Sequence, residues 1–245
     1  MNGTRASRCT YEAPAEVCCR GRHLVVVFTM HVLFDLDGTL TDSREGIIAC
    51  FQHALAELGW PVPPASELMS CLGPPLAGCF ASLLHTDDPG TIERAVASYR
   101  ARYEHRGIYE NRVFPGIVEA LTGLSRAGHQ LYVVTAKPSA YAGRILAHFR
   151  LDAFFRGVYG PDLAARRFHK GSLVQAALSE NGLTAESAVM IGDRADDINA
   201  ARQNSIRSLG VTWGYGSREE LEAAGAHALV DTPAELADHI VTEPR

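Results

Sequence analysis

From His31 onward, short apolar runs alternate with segments of helical period, and that alternation leaves few architectures open. Strands that alternate with helices build parallel sheets covered on both faces, because each right-handed crossover lays its helix over the sheet. The first run, His31-Val-Leu-Phe-Asp-Leu36, ends in a carboxylate followed by Gly38, and reads as a buried parallel strand. Further strands are predicted over 130–135, 154–159, 188–191, 206–211 and 228–230. Helices are predicted from Ile117 through Leu124 and over 139–149, 170–181 and 195–203, with small ones after Ser217 and Pro233.

One stretch breaks the alternation. Ser43 is placed to cap a helix whose apolar face is Ile47, Ile48, Phe51, Ala54, Leu55 and Leu58, and Gly59 with Pro61, Pro63 and Pro64 should end it. Helical patterns then recur around 65–71, 75–84 and 91–106 with no strand signal before Phe114-Pro-Gly116. An all-helical insert in an α/β core is the expectation. Residues 1–29 carry no periodicity, and the apolar stretch at 24–28 is too short for a signal-peptide core, so they are expected to be a dispensable tail or a misassigned start.

Composition narrows the partners. A net charge of −5 argues against non-specific nucleic-acid binding, and no apolar run approaches the roughly 20 residues that span a bilayer. The six cysteines (Cys9, Cys18, Cys19, Cys50, Cys71 and Cys79) show no CxxC spacing and no zinc-ligand pattern, as expected of reduced thiols in a cytoplasmic protein. Of 23 basic residues only Lys137 and Lys170 are lysines, which makes the position of each worth noting.

In a parallel sheet, ligands gather outside the carboxyl ends of the strands. There the sequence places Phe34-Asp35-Leu36-Asp37-Gly38-Thr39, Val134-Thr135-Ala136-Lys137 and Gly192-Asp193-Arg194-Ala195-Asp196-Asp197, and Lys170 opens a helix. Phosphate-ester cleavage explains this set. A phosphate dianion repels nucleophiles, so its charge must be met by a metal and fixed donors. Mg²⁺ takes carboxylate and carbonyl oxygens, and Asp35 and Asp193 on neighbouring strands can reach one ion. Asp35 is the candidate nucleophile, and Asp37 is placed to protonate the leaving group and then activate water. Thr135 offers a hydroxyl to the phosphate, backbone amides at Ala136 and after Asp35 add donors, and Lys170 offers a charge to phosphate and nucleophile alike.

These motifs resemble those of the haloacid dehalogenase superfamily, and within it the phosphoglycolate phosphatase-like subgroup. Leu72-Gly-Pro-Pro-Leu76, Phe114-Pro-Gly116 and Val211-Thr-Trp-Gly-Tyr-Gly216 support the subgroup. The resemblance implies a Rossmann-like core of residues 30–45 and 112–245 with a helical cap over 46–111. It implies a Mg²⁺-dependent phosphatase with Asp35 as nucleophile, Asp37 as acid/base, Asp35, Asp37 and Asp193 at the metal, and Asp197 supporting. Ala136 stands where Asn or Ser is often found; only its amide is required. Arg44, near the hinge, and Pro74 and Pro75 are candidate specificity positions. The cap lacks lysine, which argues against Schiff-base phosphonatase chemistry.

The expected substrate is a small phosphorylated metabolite, phosphoglycolate first, handled by a monomer or homodimer. Nucleotide hydrolysis and hexose-phosphate mutation are the alternatives within the same chemistry. A regulatory module that forms phospho-aspartate without turnover is the alternative of another class.

Overall fold

A computed structural model describes residues 29–163 and 169–240, so the expected tail at 1–29 lies, but for its last residue, outside the described residues. Six parallel strands form the sheet: β1 (His31–Phe34), β4 (Gln130–Val134), β5 (Phe155–Tyr159), β6 (Ala188–Gly192), β7 (Arg207–Val211) and β8 (Ala228–Val230). Their order is β5-β4-β1-β6-β7-β8, with β1 in register between β4 and β6. Two further strands of two residues each, β2 (Thr41–Asp42) and β3 (Arg112–Val113), pair antiparallel. This pair was not expected, because two residues carry no period to read.

The α-helices are α1 (Arg44–Glu57), α2 (Leu76–Leu83), α3 (Pro89–Arg102), α4 (Ile117–Arg126), α5 (Ser139–His148), α6 (Lys170–Glu180), α7 (Ala195–Gln203), α8 (Arg218–Ala224) and α9 (Leu236–Ile240). The period-two alternation of the strands divides the core between the two faces of the sheet. Val32, Phe34, Val133, Val189 and Ile191 pack with Ile117, Leu121, Ile145 and Leu146 of α4 and α5. Leu33, Tyr132, Val134 and Met190 pack with Val174, Ala177, Ala200 and Ala201 of α6 and α7.

All regular structure between β2 and β3 is helical, and its buried residues, Phe51, Phe80 and Tyr99 among them, belong to the same apolar cluster as the first sheet face. The three rings pack at 4.9–6.3 Å between centroids. The pattern over 91–106 resolves into two pieces: α3, capped by Asp88 accepting the Thr91 N–H at 2.8 Å, and a wider π-helical turn, Tyr103–Gly107. Ser43 does not cap α1. Its N–H donates to the Tyr215 hydroxyl at 2.8 Å and its own hydroxyl lies 3.2 Å from the same oxygen, so the side chain is engaged elsewhere.

The first strand stops at Phe34, two residues before the apolar run ends. The backbone N–H groups of Leu40 and Thr41 both donate to the Leu36 carbonyl at 2.9 Å, and this folds residues 36–41 into a tight loop above the sheet.

Candidate active site

Three neighbouring strands deliver the first components. Asp35 follows β1, Thr135 follows β4 and Asp193 follows β6, and all three are buried. The Asp35 N–H donates to the Ile191 carbonyl at 2.9 Å, which extends the β1–β6 ladder to the carboxylate itself. Gly38 turns the loop with φ of 89°, a left-handed value that suits glycine. Its missing Cβ matters too, since one there would overlap the Asp193 carboxylate.

Lys170, the first residue of α6, inserts its ammonium between two acids. Nζ lies 2.9 Å from Asp35 Oδ1 and is also paired with Asp197 Oδ1. Burial disfavours a charged lysine, but the Asp197 and Asp35 carboxylates outweigh it and raise the Lys170 pKa above its ordinary value. Asp197 Oδ2 accepts the Arg194 N–H at 3.0 Å, which fixes the start of α7. Asp193 accepts the Tyr215 N–H at 2.8 Å on Oδ2 and the Thr39 hydroxyl at 3.2 Å on Oδ1. Burial first, and the Asp35 charge second, push the Asp193 carboxyl up to about 6. Asp197 is likewise raised by burial, against the pull of Lys170.

Asp37 faces elsewhere. Its Oδ2 lies 2.6 Å from the Nζ of Lys137, whose side chain is 8% exposed. Lys137 also donates to the Tyr103 hydroxyl at 2.7 Å, and Tyr103 belongs to the helical segment between β2 and β3. Thr135 shapes this corner: its Oγ1 accepts the Lys137 N–H at 3.2 Å, which leaves the hydroxyl proton to be donated elsewhere. Ala136 sits between them and contributes no polar side chain.

The donor set suits a hard divalent cation. Asp35, Asp193 and Asp197 each offer an oxygen within 4.8 Å of the others, all three buried. With Asp37 there are four carboxylates against the two ammonium groups of Lys137 and Lys170, an excess of two negative charges. One divalent ion would neutralise it. The carboxylate of Asp37 is outside this cluster, held by Lys137.

Arg44 is not turned into the acidic cluster. Its Nε and Nη2 bind the Asp42 carboxylate at 2.7 Å each, and its guanidinium lies 5.8 Å from the Tyr215 ring centroid. It lines a separate cleft with Glu45, Met69, Asn111 and Arg112. The sequence reading gave no role to Lys137, Thr39 or Tyr215. Lys137 had one signal, its rarity among arginines, and Tyr215 had a place in Val211-Thr-Trp-Gly-Tyr-Gly216; neither signal specifies a contact.

An α/β phosphatase is the class that this strand order, with these groups at its centre, defines. The chain belongs to the haloacid dehalogenase-like hydrolase family, whose model matches residues 32–211. It is 46% identical over 193 residues to a 5'-nucleotidase of Pseudomonas aeruginosa, covering 79% of this chain and 87% of that one. It is 37% identical over 191 residues to the tyrosine-protein kinase PtkA of Mycobacterium tuberculosis, covering 78% of this chain but only 65% of that protein. A phosphoglycolate phosphatase of Caulobacter vibrioides is 32% identical over 214 residues, 82% of this chain and 88% of the other. Among solved structures, a predicted phosphatase from Clostridium acetobutylicum superposes with a TM-score of 0.80 at 37% identity, covering 87% of this chain and 98% of that one.

Proposed function

We propose that this chain is a Mg²⁺-dependent phosphomonoesterase that works through an aspartyl phosphate on Asp35. The observation that carries the reading is the Asp35 carboxylate, fixed by the sheet and ion-paired at 2.9 Å with a buried lysine, beside Asp193 and Asp197. An Asp35 oxygen attacks phosphorus, the bond from phosphorus to the leaving-group oxygen breaks, and Asp37, protonated at that point in the cycle, gives that oxygen its proton and is left as a carboxylate. Water then attacks the phosphoryl group and gives its proton back to Asp37, which regenerates Asp35. Lys170 and the Thr135 hydroxyl hold the phosphate oxygens, with the Ala136 amide beside them. Bound Mg²⁺, held by Asp35 and Asp193, would supply charge neutralisation for phosphate and nucleophile. Asp197 supports by holding Lys170.

Residues 46–111 act as a cap over the core formed by 30–45 and 112–245. Asp35, Thr135, Lys170 and Asp193 are each less than a tenth exposed, which supports a site that opens by movement of the cap to admit substrate. The β2–β3 pair is the natural hinge, since both connections run through it.

A small phosphorylated metabolite is the substrate class. The 46% identity to a 5'-nucleotidase favours a nucleoside 5'-monophosphate over phosphoglycolate, the substrate that the sequence motifs suggested first. Phosphate release from a panel holding AMP, other nucleotides, phosphoglycolate and glucose 1-phosphate, with Mg²⁺ and with EDTA, tests the reading. Wild type should release phosphate only with metal, and Asp35→Asn should release none. Isomerisation of glucose 1-phosphate without free phosphate would instead mark a mutase, and no turnover of any ester would refute the enzyme reading.

A further inference from the structure

Among the described residues, Lys137 is a buried charged group beside the acidic centre that the chemistry above does not use. Its backbone is fixed on two sides: the N–H is held by Thr135 Oγ1, and Gly160 packs directly against its carbonyl, where a Cβ would collide. Its ammonium is shared between Asp37 Oδ2 at 2.6 Å and the Tyr103 hydroxyl at 2.7 Å, and it lies 4.8 Å from the Tyr103 ring centroid. Tyr103 is itself locked, stacked on Tyr99 at 5.7 Å and edge-on to Tyr141 of α5 at 5.4 Å. Asp37 therefore has its two oxygens in different situations. Oδ2 is committed to Lys137, while Oδ1 is buried without a hydrogen-bond partner.

We propose that Lys137 is a positioning residue for Asp37, and that through Tyr103 it makes the position of that carboxylate depend on the helical cap being seated. A carboxylate on a short side chain has several rotamers, and only one leaves an oxygen free for the leaving group while the other is held. Lys137 selects that rotamer. The Tyr103 hydroxyl, carried by the π-helical turn at the end of the cap, holds the ammonium over Asp37 when the cap is down. When the cap lifts, the lysine loses that partner and Asp37 loses its restraint, so proton transfer is confined to the closed, water-excluding state.

The inference rests on the phosphomonoesterase reading, and a leaving-group comparison separates the two. An alkyl ester such as AMP expels an alkoxide that needs a proton; p-nitrophenyl phosphate expels a stable phenolate that does not. The value of kcat/KM reports the step in which the leaving group departs. Lys137→Met should lower kcat/KM for AMP (or for phosphoglycolate, if the panel ranks it first) by roughly 10²-fold. For p-nitrophenyl phosphate the loss should be only a few-fold, and Lys137→Arg should restore most of the alkyl-ester rate. Tyr103→Phe, which keeps the ring and removes only the hydroxyl, should show a smaller loss of the same kind, and it decides the matter should Lys137→Met not fold. Equal losses on both esters without rescue by arginine, or no loss on either, would overturn the positioning role. Turnover surviving in Asp35→Asn would overturn the phosphomonoesterase reading instead, whatever the Lys137 variants do.

Discussion

Gly38 and Asp193, 155 residues apart in sequence, pack so closely that a Cβ on Gly38 would occupy the space of the Asp193 carboxylate. The loop that carries Asp37 and the strand end that carries Asp193 are thus fitted to each other around the absence of one methyl group. Gly38→Ala must both strain a left-handed backbone position and displace a candidate metal ligand. Phosphate release should fall at least ~10-fold, with weaker Mg²⁺ binding and a loss of roughly 1–3 kcal/mol in stability. Steady-state kinetics against Mg²⁺ concentration, beside denaturant unfolding, checks this.

Removing Lys170 should be far more damaging to the fold. Lys170→Met leaves Asp35 and Asp197 buried without their shared cation. Breaking a buried pair in this way typically costs roughly 3–5 kcal/mol. The loss should be smaller in millimolar Mg²⁺, which replaces part of the missing positive charge. Urea unfolding of the variant with Mg²⁺ and with EDTA measures both effects.

Metal binding should depend on pH with a defined sign. The Asp193 carboxyl is raised to about 6 by burial and by Asp35, so below that pH it is increasingly protonated and a cation must displace the proton to bind. Apparent Mg²⁺ affinity should therefore fall as pH drops through about 6, by up to tenfold per unit below it. Calorimetric titration at several pH values, in the absence of substrate, reads this directly.

Asp42 predicts an acid limb in stability. Burial alone would raise its carboxyl, but Arg44 and Arg112, each 2.7 Å away, hold it down to about 2. A depressed folded-state pKa stabilises above the unfolded value near 4 and is lost as pH falls through 2. Arg112 is largely exposed, so screening reduces the gain to roughly 1–2 kcal/mol. Asp42→Asn should lower stability by that amount at neutral pH and by little near pH 2, as acid-dependent thermal unfolding would show.

How much of this was legible in the sequence depends on which contacts are local. The five core strands beyond β1 and the helix α7 follow from periodicity, and α7 spans the predicted residues 195–203. Asp35, Thr135, Lys170 and Asp193 were found because each stands at a strand end or helix start, places that a linear pattern reveals. The engagement of Ser43 by Tyr215 and the pairing of Lys137 with Asp37 join residues 172 and 100 positions apart, and no local period encodes them. Arg44, a candidate specificity position near the hinge, is ion-paired with its neighbour Asp42, a contact that its place in the sequence did not single out.

The central claim is that the Asp35 carboxylate bonds to phosphorus during turnover. The most direct test is to quench the full-length enzyme in acid during steady-state hydrolysis of its best ester with Mg²⁺, digest it, and weigh the peptides. One added phosphoryl group is expected on the peptide containing Asp35, absent in Asp35→Asn and in EDTA. A fully active enzyme whose phosphoryl group resides on another residue, or that retains turnover in Asp35→Asn, would contradict it.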